Sequence, residues 1–350
     1  MITMIATLAL GILCTTLIVW GSLVLPRQSM QFIATAPRER GEGENWSGLN
    51  LTWYGALSAT AYTLAATIFL FLMSATGNPF ILSAILVTCL LALCVPASRL
   101  IAMVVEKKAH TFTVGGAFFA GLLCFYPLLE TINWLSNHFL GSTLPFTASL
   151  AALAVAYAFG EGIGRLACVS FGCCYGKPLM YCPTILRRLF RGLTLTFYGA
   201  TRKAVYEGDL EGVPLFPIQL VTSIICNMSG LIGFYLYLSG QFVQSALIAL
   251  IMTQGWRVIS EQFRADYRGK GNFSAYQIMG VISVIGVSCL VPLAPTSYLV
   301  STDFVQGITA LWSPGLLLAL QGLWLAIFLY TGRSSVTGAS ITFHVHARKT

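Results

Sequence analysis

Long uncharged stretches dominate the chain, and polar residues come in blocks between them. Residues 1–26, 45–98, 109–129, 131–160, 212–256, 271–302 and 304–332 contain no Asp, Glu, Lys or Arg. A helix needs about 20 mainly apolar residues to cross a bilayer. On that measure 1–26 predicts one span. Residues 45–98 predict two, joined by a turn at Ala75-Thr76-Gly77-Asn78-Pro79. One more is expected in 109–129. In 131–160 the polar residues Ser136-Asn137-His138 and Gly141-Ser142-Thr143 predict a turn, followed by a span from about Pro145. Residues 212–256 predict two spans around Ser239-Gly240-Gln241, and 271–302 and 304–332 one each. The pattern therefore predicts an all-α integral membrane protein, a multi-pass helical bundle of about nine spans.

No internal repeat or low-complexity linker divides the chain. The expected organisation is a span over 1–25, a polar loop over 26–50 and a helical core over 51–295 with a polar insertion at 169–213. A last segment and span over 296–332 and a polar tail over 333–350 complete it. The first span has no Lys or Arg before it and no small-x-small cleavage site after its apolar core, so it is expected to be retained.

Composition supports this reading. Hydrophobic residues make up 56% of the chain and charged residues 9%, and the mean hydropathy is +0.78. A soluble surface uses about a quarter charged residues. The charge is lopsided, with 20 Lys and Arg against 12 Asp and Glu. Under the nine-span reading the connections at 26–50, 103–111, 168–215, 263–273 and 333–350 share one face. Every cation lies in them or at the helix ends beside them, including the tail residues Arg333, Arg348 and Lys349. Glu130 and Asp303 are the charges of the other face. Lys and Arg accumulate in cytoplasmic loops, so the count predicts N-terminus out and C-terminus in. The basic face is expected to meet anionic lipid, not nucleic acid.

Ionisable residues inside spans are costly and mark function by default. One helix carries Glu161-Gly162-Ile163-Gly164-Arg165. A second carries Arg257-Val258-Ile259-Ser260-Glu261, then Gln262-Phe263-Arg264. Acid and base stand four apart in each, on one helix face. Two such pairs can simply fix helix register. Their position at one membrane face favours a shared site. Beside Arg165 runs Phe171-Gly172-Cys173-Cys174-Tyr175-Gly176-Lys177-Pro178, where Gly172 and Gly176 permit tight turns and close ligand approach. A guanidinium near free backbone N–H groups makes a phosphate site, and in a bilayer the phosphate is a phospholipid headgroup.

Of the ten cysteines, Cys14, Cys89, Cys94, Cys124, Cys226 and Cys289 fall in apolar spans as packing residues. Cys168, Cys173, Cys174 and Cys182 lack the C-x-x-C spacing of a structural zinc site and are expected to be structural. His344 and His346 stand in a plain tail. Neither a metal nor a cofactor is expected. Leu186-Arg187-Arg188-Leu189-Phe190-Arg191 is basic and amphipathic, suited to anionic headgroups or to a solvated loop. Arg202-Lys203 with Glu207, Asp209 and Glu211 predicts a polar hairpin or short helix.

The segment Gly164-Arg165-Leu166 through Gly172 and Gly176 resembles the signature of the prolipoprotein diacylglyceryl transferase family. Other pieces follow in that family's order over about residues 50–295. They are Trp53-Tyr54-Gly55, Thr113-Val114-Gly115-Gly116, Pro217-Ile218-Gln219-Leu220, and Arg257 with Glu261 and Arg264. The resemblance implies a bacterial inner-membrane enzyme that moves a diacylglyceryl group from phosphatidylglycerol, or another anionic phospholipid, to a lipobox cysteine thiol and releases glycerol phosphate. It implies that Arg165 and Arg257 hold the phosphate, that Glu261 orients Arg257 from one helical turn away, and that Tyr54 offers a hydroxyl to the headgroup. Gly172, Gly176, Arg264, Gln219, Glu161, Cys168 and Cys173 are expected to line the substrate site.

The departures are specific. Val114 stands where the family has a histidine, with His110 four residues earlier. Cys168 replaces an asparagine, Cys173 a glutamate, and Val221-Thr222 a tyrosine-glutamate pair. Phosphate binding is kept, whereas activation of the acceptor is altered, which leaves a different acceptor protein or small molecule open. A phospholipid headgroup hydrolase uses the same arginines with water, and a lipid transporter or scaffold uses the same bundle. Transporters carry repeats and midplane sites, and neither is found in the pattern.

The family's site faces the periplasm, whereas the charge count places this one on the cytoplasmic face. A reporter fused to the C-terminus checks the count: it is expected in the cytoplasm, and a translocated reporter rejects the inverted topology.

Overall fold

The computed structural model describes residues 1–107, 113–267, 273–293 and 302–344. His110 lies outside them. Along the chain come α1 (Ile2–Val24), β1 (Phe32–Arg40), β2 (Asn45–Thr52), α2 (Trp53–Ala75), α3 (Phe80–Glu106), α4 (Val114–Leu140) and α5 (Phe146–Phe171). The short helices α6 (Thr184–Leu189) and α7 (Lys203–Tyr206) follow, then α8 (Ile218–Leu238), α9 (Phe242–Ser260), α10 (Ala275–Leu290), α11 (Phe304–Leu311), α12 (Pro314–Thr331) and β3 (Arg333–Thr342). Among the described residues nine helices are long and apolar enough to cross a membrane. Their apolar lengths fall in the uncharged stretches, and α3, α4, α5 and α9 run on through charged residues beyond them.

Helix boundaries follow capping chemistry. The Thr52 hydroxyl accepts from the Gly55 N–H at 3.3 Å and starts α2. Ser274 and Gln277 cap each other at the start of α10. Two boundaries differ from the expectation. Helix α4 runs through Ser136-Asn137-His138 and ends at Gly141, whose φ of 64° closes the helix. The polar residues turn to the chain beyond it: Asn133 exchanges bonds of 2.9 and 2.8 Å with the Leu144 backbone, and Ser136 donates to the Ser142 carbonyl at 2.7 Å. The stretch 304–332 divides into α11 and α12, because Ser313 caps a new start with Pro314 in the first turn, where its missing N–H costs nothing.

The larger correction concerns the polar loop at 26–50 and the polar tail. They pair as a three-stranded antiparallel sheet in the order β1-β2-β3. Asn45 faces Thr342 and Leu51 faces Arg333. A polar ladder crosses all three strands: Thr35 donates to Asn50 at 2.8 Å, and Asn50 donates to Thr337 at 3.2 Å. The helical period that identifies spans is blind to such short polar strands. The sheet links the entry of α2 with the exit of α12, on the same end of the bundle as the 169–213 insertion.

Helix α5 is the central element, packed against α2, α8 and α9. Its first four turns carry Ala148, Ala151, Ala152, Ala154, Ala156 and Ala158, all buried. Small side chains let membrane helices approach closely where lipid supplies no hydrophobic drive between them. Ser223 of α8 uses the approach to donate to the Gly162 carbonyl at 2.6 Å.

Arg202 pins the polar end together. It is fully buried. Its guanidinium donates to the carbonyls of Ser170 and Arg27, and to Pro26 at 3.3 Å and Leu25 at 3.4 Å. These carbonyls end α1 and α5, where the helix dipole is negative. Arg202→Met leaves them without donors, and the expected loss is about 3 kcal/mol. Thermal unfolding in detergent measures it. Arg202→Lys is expected to recover only part, since an ammonium lacks the planar fork of donors.

Candidate active site

The helical repeat of α5 stacks Tyr157, Glu161 and Arg165 on one face. Arg257 meets them from α9. Its Nη2 donates to both Glu161 carboxylate oxygens, at 2.5 and 2.6 Å, and to the Tyr157 hydroxyl at 2.8 Å. Arg165 donates to Glu161 Oε1, and Tyr157 donates to Glu161 Oε2. Gln254 adds a bond to Tyr157 at 3.2 Å. One carboxylate thus holds two guanidiniums from two helices, all buried. Buried ions hold only when paired and hydrogen-bonded, and here the cations outnumber the anion. The Nε of Arg165 and the Nε of Arg257 are buried without a hydrogen-bond partner. Unmet buried donors call for an acceptor.

These groups line a narrow, tightly closed polar cleft whose wall includes Glu161, Arg165, Trp256, Arg257, Glu261 and Arg264. The two expected ion pairs are therefore one linked cluster, with a changed partner for Arg257. Glu261 was expected to orient Arg257. Its carboxylate instead lies 3.9 Å from Arg264 and accepts from Ser274 at 3.2 Å. Helix α9 tightens at Glu261–Phe263 and breaks the spacing that would have aligned Glu261 with Arg257. Glu161 does that work from the neighbouring helix. Arg264 is clamped by Asp266 through two bonds of 2.8 Å. Burial opposes the Arg264 charge, but Asp266 outweighs it and holds the guanidinium well above its ordinary range.

The glycines of the motifs make room for this cluster. A Cβ on Gly115 would stand 2.9 Å from Arg257 Nη1. Val114 is 43% exposed on the first turn of α4 and is not among the residues of the cleft wall. Gly172 ends α5 at φ 70°, which lets the Cys173 N–H reach the Cys168 carbonyl at 3.1 Å. Gly176 pairs with Arg264 as an isolated β-bridge and lies so close to the Phe216 carbonyl that no side chain fits. That bridge joins the insertion to the end of α9. Gln219 donates to the Cys173 carbonyl at 3.0 Å and so ties α8 to the same turn.

Tyr54 belongs to a different group from the one expected. Its ring packs edge-on against Phe171 at 5.9 Å, and its hydroxyl is within electrostatic range of Cys168, Cys173 and Cys174. It does not line the arginine cleft. Cys168, Cys173 and Cys174 bring their sulfurs within 4.8 Å of one another. Cys182 lies apart, with Phe216 and Ile218. Hydrogen bonding to Cys168 and Cys174, together with burial, raises the Cys173 thiol well above its ordinary value.

Sequence reasoning missed Tyr157 and Asp266. Tyr157 was legible as the next member, four residues earlier, of the Glu161–Arg165 ladder. Asp266 stands two residues after Arg264, a spacing without helical meaning, and only the turn reveals it.

A family model for prolipoprotein diacylglyceryl transferase matches residues 45–292. No curated protein matches the chain. The matched region runs from β2 beyond α10 and contains the whole arginine cluster, while α1, α12 and β3 lie outside it. The match covers well over half of the chain, and the chain belongs to the prolipoprotein diacylglyceryl transferase family.

Proposed function

We propose that the chain transfers a diacylglyceryl group from phosphatidylglycerol to an acceptor thiol and releases glycerol phosphate. The observation that carries the reading is the pair of buried guanidiniums on one carboxylate, each with an unmet Nε–H, in residues that line a polar crevice at one end of the bundle. A phosphodiester headgroup supplies the missing acceptors. Cleavage of the glycerol carbon–oxygen bond turns the diester into a monoester with one more negative charge. Donors that are already placed stabilise that developing charge without reorganisation. Arg165 and Arg257 are the catalytic groups in this reading. Glu161 and Tyr157 position them, and Arg264 with Gly176 closes the wall. Acyl chains lie along the apolar helices while the polar insertion and the sheet cover the headgroup side.

The site end of the bundle is the cytoplasmic one in this reading. Arg165, Arg202, Arg257 and Arg264 are buried structural or site groups, so they are set aside. Arg27, Arg38, Arg40, Lys107, Arg187, Arg188, Arg191 and Arg333 are exposed at the same end. The one-sided charge therefore survives without the site arginines.

Purified protein incubated with phosphatidylglycerol and a lipobox peptide is expected to yield thioether lipid and free glycerol phosphate. Arg165→Ala and Arg257→Ala are expected to lower the rate roughly 10²–10³-fold, the usual cost of one preorganised charge donor. Full activity in both variants rejects the assignment. Glycerol phosphate without modified peptide identifies water or another acceptor. Removing the counter-charge gives a separate check. Glu161→Gln leaves two guanidiniums facing each other and is expected to cost about 3–5 kcal/mol. Added glycerol phosphate is expected to raise the melting temperature of this variant more than that of the parent.

A further inference from the structure

We propose that Cys168, Cys173 and Cys174 form a three-thiolate site for a soft divalent cation of the Zn2+ type, with its fourth position open to the acceptor thiol. The role of the open position rests on the transferase reading above; the metal site itself does not. The three residues are not in metal-motif spacing, and the fold assembles them. Gly172 turns the chain off α5, the Cys173 N–H closes on the Cys168 carbonyl at 3.1 Å, and Cys174 adopts φ 53°, a left-handed conformation that a cysteine rarely takes. The turn curls all three sulfurs to within 4.8 Å of one another. A tetrahedral ion about 2.3 Å from each sulfur needs them about 3.8 Å apart, so a movement of about 1 Å closes the site.

The surroundings suit a thiolate cluster. Three thiolates around a divalent ion carry one net negative charge. Arg165 lies within electrostatic range of Cys168 and Cys174, Lys203 of Cys173 and Cys174, and Arg264 of Cys174. A second observation points to a ligand. Gln219 is 2% exposed, donates to the Cys173 carbonyl, and has a buried Oε1 with no partner. That oxygen can accept from a water or thiol bound at the fourth position. Among the described residues no fourth Cys, His, Asp or Glu joins the cluster, and an open position is the mark of a working zinc site.

The chemistry fits the missing base at Val114. Metal binding releases the three thiol protons to solvent. The acceptor thiol displaces the metal-bound water and loses its own proton to solvent. The resulting thiolate attacks the glycerol carbon: the carbon–sulfur bond forms, the carbon–oxygen bond breaks, and its electron pair leaves on glycerol phosphate beside Arg165.

Purified full-length protein is loaded with Zn2+, desalted and assayed by elemental mass spectrometry. One zinc per chain is expected. Cys168→Ser, Cys173→Ser and Cys174→Ser are each expected to weaken retention by more than the roughly 10–100-fold cost of losing a supporting partner, while Cys182→Ser leaves it unchanged. Co2+ loading of the parent protein is expected to give sulfur-to-metal charge-transfer absorption with tetrahedral bands, which needs no variant to fold. Absence of those bands, or zinc retained by the triple serine variant, overturns the site. So does a two-hydrogen mass deficit in metal-free protein prepared without oxygen, which assigns the thiols to a disulfide. Zinc bound through these cysteines with no transfer to any thiol keeps the site and rejects the transferase reading. Transfer undiminished in zinc-free protein rejects the open-position role.

Discussion

The polar end of this bundle depends on one carboxylate shared by two guanidiniums. Glu161 lies on the most buried helix and reaches Arg165 on its own helix and Arg257 on α9. In a low-dielectric interior none of the three ions is tolerable alone. Together they are short of one negative charge. Gly115 leaves room for Arg257 beside this cluster, and the Asp266 clamp fixes Arg264 on the same wall.

Much of the fold was legible because a bilayer imposes a coarse rule. Every span needs a long apolar stretch, and all nine stretches became helices. The sheet was not legible, since its strands carry mixed polar residues and the pairing of β2 with β3 joins positions some 300 apart in sequence. Ionisable residues within spans single out Arg165, Arg257 and Glu161, and the fold brings the three side chains together. Spacing then paired Arg257 with Glu261, because a continuous helix was assumed where α9 tightens. Local spacing predicts partners on one helix and is silent about a partner on the next. The same limit hid the three cysteines, whose sequence spacing looks uninformative until Gly172 turns the chain.

Of the residues that depart from the family resemblance, Cys168 and Cys173 share one sulfur cluster at the turn after α5, whereas Thr222 lines the arginine cleft. Gly115, beside Val114, clears space for Arg257.

The sheet has a consequence for assembly. Its first two strands leave the ribosome before α2, yet the third follows α12. Until the last span has been synthesised and inserted, β2 presents an unpaired edge, and the seam between Gly55 and Gly332 is missing. A chain that stops early, or inserts its final helix the wrong way round, cannot close that seam. The pairing of β2 with β3 therefore needs both strands on one side of the bilayer, as the eight candidate spans between them among the described residues allow.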